Sequence, residues 1–258
     1  MLSEKPGCGH AAFSKAQVIT LGTVLPSHRD PVSQERSAVA AKDLVRPVMR
    51  IRPIAIARQR LQFTGSAAYW ERRYANGGTS GPGSYGAVAL AKADFLNELV
   101  HENSLRSVIE FGCGDGHQLS LANYPAYIGL DVSRTAIELC RHRFSSDLTK
   151  SFYLYDGTCF VDHAGLFTAD LAISLDVILH LTEETVFETY MTNLFAAARR
   201  YVVLYTTNAE IYDAAPHVRH RCFSSWVDGN CPQWRLAQVA HGPSSGPTLA
   251  DFFVYERH

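Results

Sequence analysis

Three glycines at alternate positions, Gly112, Gly114 and Gly116, follow the carboxylate of Glu110 in the stretch SVIEFGCGDG. Glycines so placed let a backbone turn tightly and approach a ligand. The stretch is not a dinucleotide fingerprint. That pattern, G-x-G-x-x-G, needs a glycine at 117 so that a pyrophosphate can rest on a helix N-terminus, and His117 stands there. A carboxylate just before the loop would also repel a pyrophosphate and suits a cationic ligand. Further along, Asp131 ends the apolar run YIGL and Asp156 ends SFYLY. Three histidines could move a proton near neutral pH: His180 in VILHL, and His217 and His220 in PHVRHRCF. Arg219 and Arg221 beside them make a cationic group that could face an anionic acceptor or lie in a solvated loop. His217, His220, Cys222 and Cys231 have no recognised zinc-finger spacing, and no metal is expected.

The elements that must position these residues alternate. RSVIEF, AYIGLD, SFYLYD, ADLAISLD and RYVVLYT read as strands, with WRLAQVAH and ADFFVYER as a terminal pair around GPSSGPTL. Between them, HQLSLA is expected to open a helix, SRTAIELCRHRF to form one capped by Ser133, and TEETVFETYMTNLFAAA to form one capped by Thr182. SYGAVALAKADFLNELVHEN carries a helical face ahead of the first strand. Strands alternating with helices predict an α/β fold, a doubly wound and mostly parallel sheet with helices on both faces. Ligands then bind beyond the carboxyl ends of the strands, at the switch in strand order. The glycine loop and Asp131 fall there.

From about residue 65 onward the order E-x-G-x-G-x-G, strand, Asp131 resembles the Rossmann-like S-adenosylmethionine-dependent methyltransferases. The resemblance implies seven strands with an antiparallel terminal strand and S-adenosyl-L-methionine as cofactor. It implies that Gly112, Cys113, Gly114 and Asp115, with Glu110, approach the methionine and ribose. Asp131 and Val132 would hold the ribose, Asp156 and Gly157 would lie beside the adenine, and Leu175 and Asp176 in SLDVILHL would pass the sulfonium. GSAAYWERRYANGGTSGPGSYG resembles the lead-in of one bacterial branch of the family. There Tyr69 and Trp70, with Tyr74, would close over the cofactor, and Gly77 to Gly86 would form a mobile lid; packing against the sheet is the alternative for these aromatics. The fourth-strand sequence lacks the N-P-P-[YF] motif with which related enzymes hold an amine, and the spaced acids of metal-dependent catechol enzymes are not seen. The expected activity is O-methylation of a small-molecule or glycan hydroxyl. N-methylation of a small amine, or a silent cofactor- or partner-binding protein, are the alternatives.

Composition bounds the rest. The chain has 258 residues, 47% hydrophobic and 19% charged, with a formal net charge of -1. That balance gives no bulk attraction for nucleic acid, and no nucleic-acid partner is expected. Residues 1–60 are expected to be a flexible N-terminal tail ending in a basic arm, Lys42 to Arg60, and 61–258 the catalytic domain. The arm could touch an anionic membrane or an acidic partner, though a solvated arm is the simpler reading. No apolar run approaches the roughly eighteen residues of a membrane-spanning helix, and no secretory signal is recognisable. The six cysteines lack regular spacing, so a reduced, cytoplasmic chain is expected.

Overall fold

The apolar runs of the sequence lie side by side in a computed structural model that describes residues 63–213, 215–243 and 250–258. They are β1 (Val108–Phe111), β2 (Tyr127–Asp131), β3 (Lys150–Leu154), β4 (Ala169–Leu175), β5 (Ala198–Thr206), β6 (Trp234–His241) and β7 (Asp251–Arg257). They form one seven-stranded sheet in the order β3-β2-β1-β4-β5-β7-β6. The first five strands pair in parallel, and β7 lies antiparallel between β5 and β6. The chain leaves β1 towards β2 and β3, then crosses back to β4 and β5. The carboxyl ends of β1 and β4 therefore open a crevice at the switch point.

Among the described residues, five helices complete the fold: α1 (Ser66–Ala75), α2 (Gly86–Glu102), α3 (Arg134–Arg143), α4 (Glu184–Ala196) and α5 (Phe223–Asn230). Leu96, Leu99 and Val100 of α2 join Ile137 and Cys140 of α3 against Tyr127, Leu171, Val203 and Phe252 on one face of the sheet. On the other face, Phe187, Tyr190 and Leu194 of α4 and Phe223 and Val227 of α5 pack against Ile109, Phe111, Val202 and Phe253. All four residues of β1 are buried, as a strand covered on both sides requires. Cys113, Cys140 and Cys231 are free and buried, and Cys159 is free and exposed. No helix among the described residues is long and apolar enough to cross a membrane.

Local structure departs from the sequence reading in four places. HQLSLA opens no α-helix; only a single 3-10 turn forms, Leu119–Leu121. Pro125 excludes the helical conformation just before it, and the side chain of Asn97 takes the Leu121 carbonyl and the Asn123 N–H. Thr182 does not cap α4. Glu183 holds the cap position without a side-chain bond to the helix, and Thr182 Oγ1 donates instead to the Glu183 carboxylate at 3.0 Å. Residues 66–75 form a helix that the reading left unassigned, as do residues 223–230 within the segment before β6. Ser133 does cap α3, accepting the Ala136 N–H at 3.0 Å. The tail and basic arm fall outside the described residues, as does most of GPSSGPTL.

Candidate active site

The crevice is a cavity of about 590 Å³. Glu110, Gly112, Cys113 and Gly114 form its floor, Asp131 and Val132 one wall, and Asp156 and Gly157 the far edge. Leu175, Asp176 and His180 close the opposite side, and Trp70 and Tyr74 reach over it from α1. Gly112 and Gly114 take positive φ values of 85° and 57°, the left-handed region that other residues enter at a cost. A Cβ at Gly112 would stand 2.5 Å from Val177 Cγ2, and one at Gly114 would strike Ser80 Oγ and the Tyr74 hydroxyl. A side chain at Gly112 would thus push against the turn after β4, and one at Gly114 would break the contact between the floor and the segment above it.

Asp131 is 6% exposed. Its two oxygens accept the N–H groups of Ser133 (2.8 Å) and Gly114 (2.9 Å). Burial pushes its carboxyl up to about 6, against the pull of those two N–H groups. Glu110 is buried on the α2 face. Burial raises its carboxyl to about 7, opposed by the Tyr127 hydroxyl, which donates to it at 2.5 Å. Asp156 accepts both the N–H (2.9 Å) and hydroxyl (2.7 Å) of Thr158, bonds that hold its carboxyl below the usual range.

The segment above the cavity is fastened on three sides. Glu71 of α1 accepts the hydroxyls of Ser133 (2.6 Å) and Thr135 (2.7 Å) and the Thr135 N–H (3.2 Å), at the start of α3. Ser66 donates its N–H and hydroxyl to Glu183, both at 2.9 Å, at the start of α4. The glycine-rich segment after α1 is tied to the loop below through Asp115, whose carboxylate accepts the Ser80 N–H (2.9 Å) and the Tyr85 hydroxyl (2.7 Å). Burial would raise the Asp115 carboxyl, but these bonds outweigh it and leave it lowered. Asp115 is therefore a fastener of this segment and does not line the cavity.

Two polar groups that the sequence reading passed over stand at the Asp176 end. Lys92 of α2 is fully buried, and its ammonium meets Asp176 Oδ2 at 2.8 Å and lies 5.1 Å from the centre of the Tyr205 ring. Asp176 itself has φ 59°, a backbone state that Asp tolerates better than most residues. Its Oδ1 is buried and has no hydrogen-bond partner, and the same holds for Oε1 of Gln118, which also lines the cavity. An orphaned buried acceptor is costly unless a ligand donates to it. The only advance sign of Lys92 was a charge on the apolar face of a helix. Gln118 gave none, since its orientation follows from the bond of its amide to the Ala89 carbonyl.

The three histidines separate. His180 lines the cavity. Its Nδ1 lies 2.8 Å from the His217 carbonyl, which can only accept, so Nδ1 carries the proton and Nε2 keeps its lone pair. Burial lowers the ring to about 4, so it is neutral at physiological pH. His217 and Tyr69 stack at 4.3 Å and line a second, smaller cavity of about 260 Å³ beside α1. His220 lies apart from both cavities, with Nδ1 2.7 Å from the Thr207 hydroxyl. Among the described residues, no group of three or more His, Cys, Asp or Glu is arranged to hold a metal.

No model of a known protein family matches the chain. A small RNA 2'-O-methyltransferase from Arabidopsis thaliana is 28% identical over 108 residues, which is 38% of this chain but only 12% of that protein. Among solved structures, the methyltransferase domain of bacterial CtHen1 superposes with a TM-score of 0.53 at 20% identity, covering 65% of this chain and 97% of that one. Magnesium protoporphyrin IX methyltransferase of Synechocystis PCC 6803, with bound S-adenosylhomocysteine, gives 0.54 at 16% identity over 80% of this chain and all of its own. The N-methyltransferase NodS of Bradyrhizobium japonicum WM9, in complex with the same product, gives 0.56 at 16% identity over 75% and 98%. With the strand order, the glycine floor and the acid closing β2, these likenesses lead to one conclusion: the chain has the Rossmann-like fold of the S-adenosylmethionine-dependent methyltransferases.

Proposed function

We propose that this protein transfers a methyl group from S-adenosyl-L-methionine to a hydroxyl of a small molecule or glycan. The observation that carries the reading is one cavity holding the glycine floor and Asp131 together with a neutral histidine whose Nε2 lone pair is free. The residues fit the cofactor: the glycines leave room at the floor, Asp131 and Asp156 are acceptors for hydroxyl and amino groups, and Gln118 Oε1 and Asp176 Oδ1 await donors. When bound, the cofactor supplies an electrophilic methyl on a sulfonium. His180 would take up, at Nε2, the proton of the hydroxyl that accepts the methyl. A base with pKa near 4 suffices, because the attacking hydroxyl becomes strongly acidic as it is alkylated. Trp70, 4.9 Å from His180 ring to ring at 75°, orients the imidazole.

The likeness to a small RNA 2'-O-methyltransferase favours a second reading, a ribose hydroxyl of RNA as acceptor. Both readings keep the hydroxyl and the base.

Calorimetry with S-adenosylhomocysteine tests the cofactor half. Wild type should bind, and Asp131→Ala should weaken binding by roughly 1.5–3 kcal/mol, the value of hydrogen bonds to a charged acceptor. Absence of binding to wild type would remove the proposal. Incubation with cofactor and fractionated cell extract, read by mass spectrometry, tests the acceptor half. The expected product is an O-methylated small molecule or glycan, and His180→Ala should slow its formation about 10²–10⁴-fold. Methylated amines alone would overturn the hydroxyl, and methylated RNA alone would favour the second reading.

A further inference from the structure

The cationic group expected around His217 to Arg221 is not free to meet a substrate. Arg219 pairs with Glu184 at 2.8 Å and donates to the Thr182 carbonyl at 3.1 Å. Arg221, 5% exposed, donates to the carbonyls of Leu181 and Thr182 and lies 3.6 Å from Glu184. Both arginines clamp the segment before α5 onto the start of α4. A positive charge with no acid partner among the described residues lies on α1 instead. Arg73 donates from Nε to the Thr79 carbonyl at 2.6 Å, and its guanidinium lies 5.4 Å from the centre of the Trp70 ring. Among the described residues its two terminal nitrogens have neither a carboxylate nor a hydrogen bond. Its charge reaches both His180 and His217; Asp213 is the acid that acts on His217.

Arg73 lines the second cavity, with Phe63, Tyr69, Arg72 and His217. Arg72 there donates to Thr64 Oγ1 at 3.3 Å. The wall of this cavity is a stack of rings: Tyr69 on His217 at 4.3 Å, and His217 parallel to His180 at 5.6 Å, each pair within 13° of coplanar. One imidazole thus separates the free guanidinium's cavity from the histidine that lines the cofactor cavity. A guanidinium whose Nε is already bonded keeps its remaining N–H donors in the fork that matches two oxygens.

We infer that the second cavity binds an anionic group, phosphate or carboxylate, carried by the methyl acceptor, with Arg73 as its anchor. The acceptor is then a hydroxylated small molecule bearing such a group, its anion beside Arg73 and its hydroxyl beside His180. This rests on the reading of the larger cavity as the cofactor site. Arg73 lines the second cavity and is not among the residues that line the larger one, where the cofactor's own carboxylate would lie.

The full chain, loaded with S-adenosylhomocysteine, is titrated by calorimetry with inorganic phosphate and, separately, with acetate, at constant ionic strength. Saturable binding of at least one anion is expected, and which one binds distinguishes phosphate from carboxylate. Arg73→Gln should weaken it about tenfold or more, and Arg73→Lys, which keeps the charge but loses the fork, should weaken it less. Affinity for S-adenosylhomocysteine should stay within about twofold of wild type in both variants, which also shows that they are folded. No saturable anion binding, or equal binding by wild type and Arg73→Gln, overturns the inference. So does a loss of S-adenosylhomocysteine affinity in Arg73→Gln with 5'-methylthioadenosine binding unchanged, since that places Arg73 on the cofactor's carboxylate. Failure of wild type to bind S-adenosylhomocysteine is a different result: it removes the cofactor reading and leaves the anion titration of the unliganded chain to be judged by itself.

Discussion

Asp131 is the residue at which burial and the proposed cofactor binding pull against each other. Its carboxyl, raised from 3.8 to about 6 by burial, carries a sign that can be checked. A carboxyl raised in the folded state contributes stability that is complete below its unfolded pKa and is lost as pH rises through about 6. Ribose hydroxyls prefer the ionised acceptor, so binding runs the other way. Affinity for S-adenosylhomocysteine should increase between pH 5 and 7 with a midpoint near 6 and then level off. Calorimetry across that range should show the slope in wild type and a weak, flat profile in Asp131→Asn. A slope that survives in Asp131→Asn would assign it to another group. His180, lowered to about 4, is already neutral throughout the window. At this scale the sequence was readable for the glycines and Asp131, because a strand-end acid after a glycine loop is a local pattern. Lys92 and Gln118 were not, because their partners Asp176 and Ala89 are remote in the chain.

The element that borders both cavities is α1. It carries Trp70 and Tyr74 to the larger cavity and Arg73 to the second, and it is held by Ser66, its first residue, at the start of α4 and by Glu71, at its middle, at the start of α3. Neither tie belongs to the core, so loosening α1 should leave the sheet intact. Glu71→Ala removes three hydrogen bonds, each worth about 0.5–1.5 kcal/mol or less where exposed. Its expected effect is faster amide exchange confined to residues 66–75 and a faster dissociation of S-adenosylhomocysteine in stopped flow. Unchanged exchange in α1 would mean that Ser66 and the Asp115 bonds suffice to hold it. The helix left a readable trace, since Ser66 opens it and Asn76, Gly77 and Gly78 close it. Its aromatic and arginine content obscured that trace, because those side chains face a cavity and solvent and leave no apolar stripe. The lost helix after the glycine loop is the converse case: its apolar pattern was real, but Pro125 and Asn97 claimed the backbone.

Across the whole molecule, the described core draws on residues from Tyr74 onward, in two layers on either side of the sheet. A chain beginning at Leu61 should therefore remain soluble and bind S-adenosylhomocysteine within about twofold of the full chain; collapse of that fragment would give the preceding basic arm a structural role. By itself, the sequence determined the alternation of strands and helices, the parallel sheet with its terminal pair, and the place of the glycine loop at a strand end. These follow from periodicity and from the backbone demands of Gly and Pro, which act over a few residues. Tertiary structure alone decided which charges are free. Arg219 and Arg221 are spent on Glu184 and on carbonyls of the turn before α4, whereas Arg73 is left without an acid. It also decided which histidine meets the cavity. Sequence spacing cannot distinguish a paired charge from an unpaired one, because the partner arrives through the fold, and burial then sets whether the group is charged at all.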